Sequence, residues 1–153
     1  MPDQKDSLAI AIFGEMFMAE QLARGQLSRA LPNGMTLAQF SVLNHLSRSN
    51  GERTPAQLAR SFHLTKGAMT NTISRLEAAG HIHIRPDWDD ARRKFVSISA
   101  SGTAARDAAL SAMAPILNTV VANMGEERLK AALPILRDIR VQLDQPVSAG
   151  DAP

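Results

Sequence analysis

A chain of 153 residues suits one domain, or one domain with an oligomerisation arm, and its 44% apolar content is enough to bury a core. It has no cysteine and no apolar run near the roughly 20 residues of a bilayer span, which excludes disulfides, thiolate zinc sites and a membrane helix and fits a cytoplasmic protein. Seventeen Lys and Arg against fifteen Asp and Glu leave a net charge of only +2, so nucleic-acid binding requires the bases to be gathered on one surface.

The polar opening MPDQKDS does not read as a signal peptide. A first helix, residues 6–31, is expected from Leu8, Ile12, Met16, Ala19 and Ala23 at helical spacing, with Asp6 or Ser7 as its cap. Ile10, Phe13 and Phe17 widen its apolar stripe beyond what one surface helix needs, so the extra face is expected to meet another helix or another chain. The tripeptide Pro32-Asn33-Gly34 ends it. Thr36 then caps a second helix over 36–48, in which Leu37, Phe40, Leu43 and Leu46 recur every three residues. Thr54 caps a third, with Pro55 in its first position and Leu58, Ala59 and Phe62 as its apolar face.

After a tight turn at His63 and Leu64, Thr65 caps a fourth helix that Gly80 stops. Met69, Ile73 and Leu76 share one face of it. Lys66, Gly67, Thr70, Asn71 and Ser74 share the other, with Arg75 near the edge. Two short helices joined by a tight turn, the second with a small and hydrogen-bonding outer face, form a helix-turn-helix pattern. The stretch HIHIRPDWDDARRKFVSIS, residues 81–99, follows at once. It reads as two alternating strands around a tip carrying Asp87, Asp89, Asp90, Arg92, Arg93 and Lys94, longer and more charged than a hairpin needs for folding alone. Ser99 or Ser101 caps a long Ala-rich helix with Pro115 inside it as an expected kink. Gly125 breaks the chain, and a last helix over 126–143 places Leu129, Leu136 and Leu143 at seven-residue spacing, with Pro134 as a second kink. Residues 145–153 are expected to be a disordered tail.

This order of elements describes a mainly α fold with a small β-hairpin wing: a winged helix-turn-helix lobe, residues 36–99, between an N-terminal helix over 6–31 and C-terminal helices over 101–144. With the fourth helix in a DNA major groove, the tip of the hairpin lies beside the neighbouring backbone or minor groove, where Arg is favoured. The acids there would repel DNA unless paired, and Asp90 and Arg92 are close enough in sequence to pair.

The stretches TPAQLARSFHLTKGAMTNTISRLEAAGHI and RPDWDDARRKFVSISASG resemble the MarR family of bacterial transcription regulators. The resemblance lies in Leu76-Glu-x-x-Gly80, in Asp90-x-Arg92, and in the closing Val-x-Ile-Ser-x-x-Gly run. It implies a homodimer built from the terminal helices, which the surplus apolar face there suggests independently. It also implies a regulator, expected to be a repressor, that binds a pseudo-palindromic double-stranded operator. The residues expected at DNA are Thr65, Lys66, Thr70, Asn71, Ser74, Arg75, Arg85, Asp90, Arg92, Arg93 and Lys94. The resemblance further implies a small aromatic or anionic effector between the dimerisation helices and the lobe, with Phe13, Met16, Phe17, Phe40 and His45 as its lining. Asn71 stands where the family often has Arg, Ile84 where a base is common, and Trp88 where Pro is frequent; Trp88 is expected to pack on the base of the hairpin, the alternative being that it lies on a sugar.

No cofactor is expected. His81 and His83 alternate on a strand but are too few for a metal site. Asp89 and Asp90 are adjacent on a loop, which does not build an acid and base pair across a substrate. No nucleophile triad, phosphate loop or dinucleotide fingerprint is present. An enzyme and a protein-only interaction module are the competing readings, and salt-dependent binding to duplex DNA separates both from a regulator.

Overall fold

The computed structural model of the protein describes residues 4–145. In chain order the elements are α1 (Gln4–Ala30), α2 (Leu37–Ser49), α3 (Pro55–Ser61), α4 (Lys66–Ala78), β1 (Ile82–Pro86), β2 (Lys94–Ile98), α5 (Ala100–Met124) and α6 (Glu126–Asp144). The chain divides into two compact units between Ala114 and Pro115, inside α5.

Local signals start and stop the helices of the first unit. Thr36 and Thr54 each accept from the backbone N–H three residues on, and Gln39 and Gln57 reach back to the cap N–H, so both sites are complete capping boxes. Thr65 caps α4 by accepting from the Ala68 N–H at 3.1 Å. Two helices end in the same left-handed turn. After α4, Gly80 has φ +75° and the His81 N–H returns to the Leu76 carbonyl. After α3, His63 takes that position at φ +52° and the Leu64 N–H returns to the Ala59 carbonyl.

The core lies where α2, α3, α4 and the hairpin meet. Val42, Leu43, Leu46, Leu58, Ala59, Met69, Ile73, Leu76, Ile82 and Val96 form one buried cluster. Each such large side chain contributes about 1.5–3 kcal/mol by leaving water. A smaller cluster of Leu31, Ala109 and Met113 takes the other side of α2, with Leu37 and Phe40 packed against it. The three-residue repeat along α2 therefore serves two clusters.

β1 and β2 pair antiparallel, with Ile84 opposite Val96 and Arg85 opposite Phe95. Arg53 adds a single bridge on the outer edge of β2, exchanging both backbone hydrogen bonds with Val96. Ser99 joins the hairpin to α5. Its hydroxyl donates to the Gly80 carbonyl at 2.7 Å and accepts from the Gly102 N–H at 2.9 Å. Gly102 must be glycine, because a Cβ there would lie 2.0 Å from the His81 carbonyl oxygen. Of the two serines expected to cap α5, Ser99 does so, while Ser101 meets the His81 ring at 3.1 Å.

Pro115 and Pro134 lie inside α5 and α6, as expected. Two expectations differ. α1 is already helical at Gln4, so Asp6 stands in its first turn, where its charge suits the helix dipole, and neither Asp6 nor Ser7 is the cap. Trp88 does not pack under the hairpin; it is 79% exposed. The expected tail beyond Gln145 lies outside the described residues. In the second unit, α6 carries Lys130 paired with Glu126 at 2.8 Å, and Leu136 and Leu143 exposed.

Candidate nucleic-acid interface

The inner face of α4 is buried through Met69, Thr72, Ile73 and Leu76. At 3.6 residues per turn, Gly67, Asn71, Ser74 and Ala78 then fall on the opposite face, and all four are exposed. Three of them are small, so the helix can seat close to whatever it meets, with Asn71 as the long polar group at the centre. Lys66 and Thr70 form one edge. The Thr70 hydroxyl donates to the Lys66 carbonyl at 2.8 Å, which leaves its oxygen as an acceptor. Arg75 is on the opposite edge, in a recess beside Asn33, Gly34 and Gln39.

The wing tip is ordered by its acids. Asp87, 9% exposed, accepts from the Asp89 N–H at 3.0 Å and pairs with Arg93 Nε at 3.2 Å. Asp90 accepts from the Arg92 backbone N–H at 3.0 Å and from Arg92 Nε at 3.2 Å. These donations from the Arg92 side chain, then from its backbone, hold the Asp90 carboxyl below the usual aspartate range. The expected Asp90–Arg92 pair is thus formed, and the Arg92 side chain remains 90% exposed.

Arg85 is half-buried and tied to its neighbours. It donates from Nε and Nη2 to the two carboxylate oxygens of Glu52 at 2.6 and 2.5 Å, and from Nη1 to the Pro86 carbonyl at 3.1 Å. The pair holds Glu52 below the ordinary glutamate range, chiefly through the hydrogen bonds from Arg85.

Between the wing and the start of α3 and α4 lies a cleft of about 420 Å³. Arg60, Lys66, Arg92, Arg93 and Lys94 line it together with Thr54, Gln57 and Thr70, and no carboxylate is among its lining. The positive surface that the near-neutral composition required is here. Residues separated by up to 34 positions, from Arg60 to Lys94, are gathered on one concave wall that continues onto the outer face of α4.

Residues 33–93 match the model of the MarR family. The winged lobe therefore resembles that of MarR-family proteins. It is 32% identical over 104 residues to the transcriptional activatory protein BadR of Rhodopseudomonas palustris, a match that takes 65% of this chain and spans only 59% of the relative. A probable transcriptional regulator from Pseudomonas aeruginosa has a TM-score of 0.69 at 28% identity, over 84% of this chain and 98% of that one. The fold is shared with a MarR family transcriptional regulator from Streptomyces coelicolor solved in complex with DNA, with a TM-score of 0.78 at 18% identity over 99% of this chain and 96% of that one.

Sequence reading missed two organisers of this winged lobe. Glu52 lies 33 positions from Arg85, and Asp87 was visible only as one charge among several. Of the residues expected at an effector site, Phe40 and His45 share a cleft of about 380 Å³ with Asn44, Arg48 and Phe62, and the His45 ring meets Phe62 edge-on at 5.4 Å. Phe13, Met16 and Phe17 are not in that lining. Phe13 and Phe17 meet along α1 with centroids 6.2 Å apart and ring planes tilted by 43°.

Proposed function

We propose that the protein is a sequence-specific, double-stranded DNA-binding transcriptional regulator that works as a homodimer and has no catalytic role. The observation that carries this is the five-cation cleft joined to the small, polar outer face of α4. A helix with that face suits a major groove, and the cleft suits the phosphates beside it. The DNA-bound relative from Streptomyces coelicolor supports the same reading. In the proposed complex, Asn71 and Ser74 read base edges, with Thr70 beside them. Lys66, Arg93 and Lys94 hold one backbone, Arg75 holds the backbone on the opposite edge, and Arg92 reaches from the wing.

The dimer rests on exposed apolar side chains along the outer helices. α1 exposes Leu8, Ile10, Phe17 and Leu22, and α6 exposes Leu133, Ile135, Leu136 and Leu143. Surfaces of that kind mark association sites. A two-fold dimer reads a pseudo-palindrome with half-sites about one helical turn apart, roughly 10 bp. Within this reading the dimer represses by covering its site, and a small aromatic or anionic compound in the cleft of Phe40, His45, Arg48 and Phe62 releases it. The rings there suit an aromatic body and Arg48 an anion.

Selection of binding sites from random duplex DNA with the purified protein tests the reading. Recovery of a two-fold motif, with affinity that falls steeply as salt rises, is the expected result. A pool that never converges would overturn it. The relative from Rhodopseudomonas palustris is named an activatory protein, so a promoter reporter carrying the selected site decides the regulatory sign.

A further inference from the structure

The wing contains an alternating ladder of rings and guanidinium groups. Arg85 lies 4.5 Å from the Trp88 ring centre and 4.7 Å from that of Phe95, its cross-strand partner. Arg93 lies 5.9 Å from Phe95 on the same ladder. Each end is anchored by an acid, Glu52 on Arg85 and Asp87 on Arg93. Each cation and ring contact is favourable, and the bidentate Glu52 pair fixes the plane of the guanidinium that supports the indole. The largest side chain in the protein is thus supported from below and 79% exposed above, on the same hairpin as the 90% exposed Arg92. A solvated loop gains nothing from so much support for an exposed ring.

We infer that Trp88 is a DNA-contacting residue of the wing, its open face packing on deoxyribose at the rim of the minor groove, with Glu52 and Arg85 as positioning residues. The inference rests on the reading of the chain as a DNA-binding protein. The occupant follows from the surroundings. The neighbouring Arg92, Arg93 and Lys94 draw in a polyanion, and sugar rings are the apolar surface that a nucleic-acid backbone offers between its phosphates. A contact of this kind adds affinity without displacing a counterion, because the indole carries no charge.

The test uses the full chain and the duplex recovered by selection. Trp88→Ala is expected to weaken binding about tenfold, a size typical of aromatic contacts to nucleic acid, with the slope of log affinity against log salt unchanged. Trp88→Phe should recover part of the loss. Glu52→Gln should weaken binding less and also shift the free protein's Trp88 emission, which a merely structural role elsewhere would leave alone. Acrylamide should quench Trp88 less in the complex than in the free protein. Wild-type affinity in Trp88→Ala, or unchanged quenching on binding, would overturn the inference while leaving the DNA reading intact. Failure of the wild-type protein to bind any duplex would overturn that reading and this inference with it.

Discussion

The helices of the winged lobe and the two outer helices bury their residues very differently. α2, α3 and α4 together span little more chain than α1 alone, yet they supply Val42, Leu43, Leu46, Leu58, Ala59, Met69, Ile73 and Leu76 to one cluster. α1 and α6 are 27 and 19 residues long, and none of their described residues is buried. Both kinds of helix are rich in apolar side chains. The short helices are amphipathic and satisfied within one chain. The long ones carry apolar side chains on more than one face, and a single chain does not cover them. Apolar content alone thus fails to say what a helix packs against; the width of the stripe does.

If the lobe is closed within itself, its largest weakness is an overpacked junction. Gly102→Ala is expected to cost about 3 kcal/mol or more, because a backbone carbonyl occupies the space and cannot swing aside as a side chain would; urea denaturation followed by circular dichroism measures it. If the outer helices serve a second copy, the opposite pattern should hold there. Leu136→Glu is expected to raise the dimer dissociation constant by about 100-fold, roughly 2.7 kcal/mol, while leaving the amide spectrum of the lobe unchanged. Sedimentation at a series of concentrations reads the first part and NMR the second; a dimer as tight as wild type would remove α6 from the interface.

Within the lobe, the wing can be set against the core. Asp90→Ala removes a negative charge from the DNA side, so a solvated acid there predicts tighter binding. An acid that orients Arg92 predicts weaker binding despite the favourable change of charge, and that loss is expected in a titration at fixed salt. The left-handed cap of α4 gives a smaller effect. Gly80→Ala should destabilise by about 1 kcal/mol in the same urea experiment, because glycine enters that region without the strain a Cβ brings.

The smallest effect is that of acid. Glu52 and Asp90 both titrate below their ordinary ranges in the folded protein. Their contributions are therefore complete above the unfolded carboxylate pKa and are lost as pH falls through the lowered folded values. The wing should loosen in acid before the core melts, and Trp88 emission should change ahead of the circular dichroism of the helices.

What was legible in the sequence was local. Thr36, Thr54 and Thr65 mark their helices because a cap is made with a backbone group three residues away, and the T-x-x-Q pattern that completes two of them was equally open to reading. The two faces of α4 follow from helical spacing, and Asp90 and Arg92 are two positions apart. Illegible were contacts that need the folded lobe, such as Glu52 with Arg85 and Arg53 with Val96. Arg85 shows the consequence. Its charge grouped it with the other wing bases expected at DNA, while three of its five donors are engaged by Glu52 and Pro86, which composition could not show. Trp88 erred in the other direction, since its apolar bulk suggested cover where the structure leaves it open.

The outer face of α4 makes a separate point. Gly67, Asn71, Ser74 and Ala78 are exposed and contribute nothing to the buried cluster, which draws on the opposite side of the same helix. Helical geometry therefore separates what the lobe needs to fold from what it presents to a partner, residue by residue along 13 positions. Changes on the presented side leave Met69, Ile73 and Leu76 in place, so descendants of this chain can acquire new targets by single substitutions without passing through an unfolded intermediate.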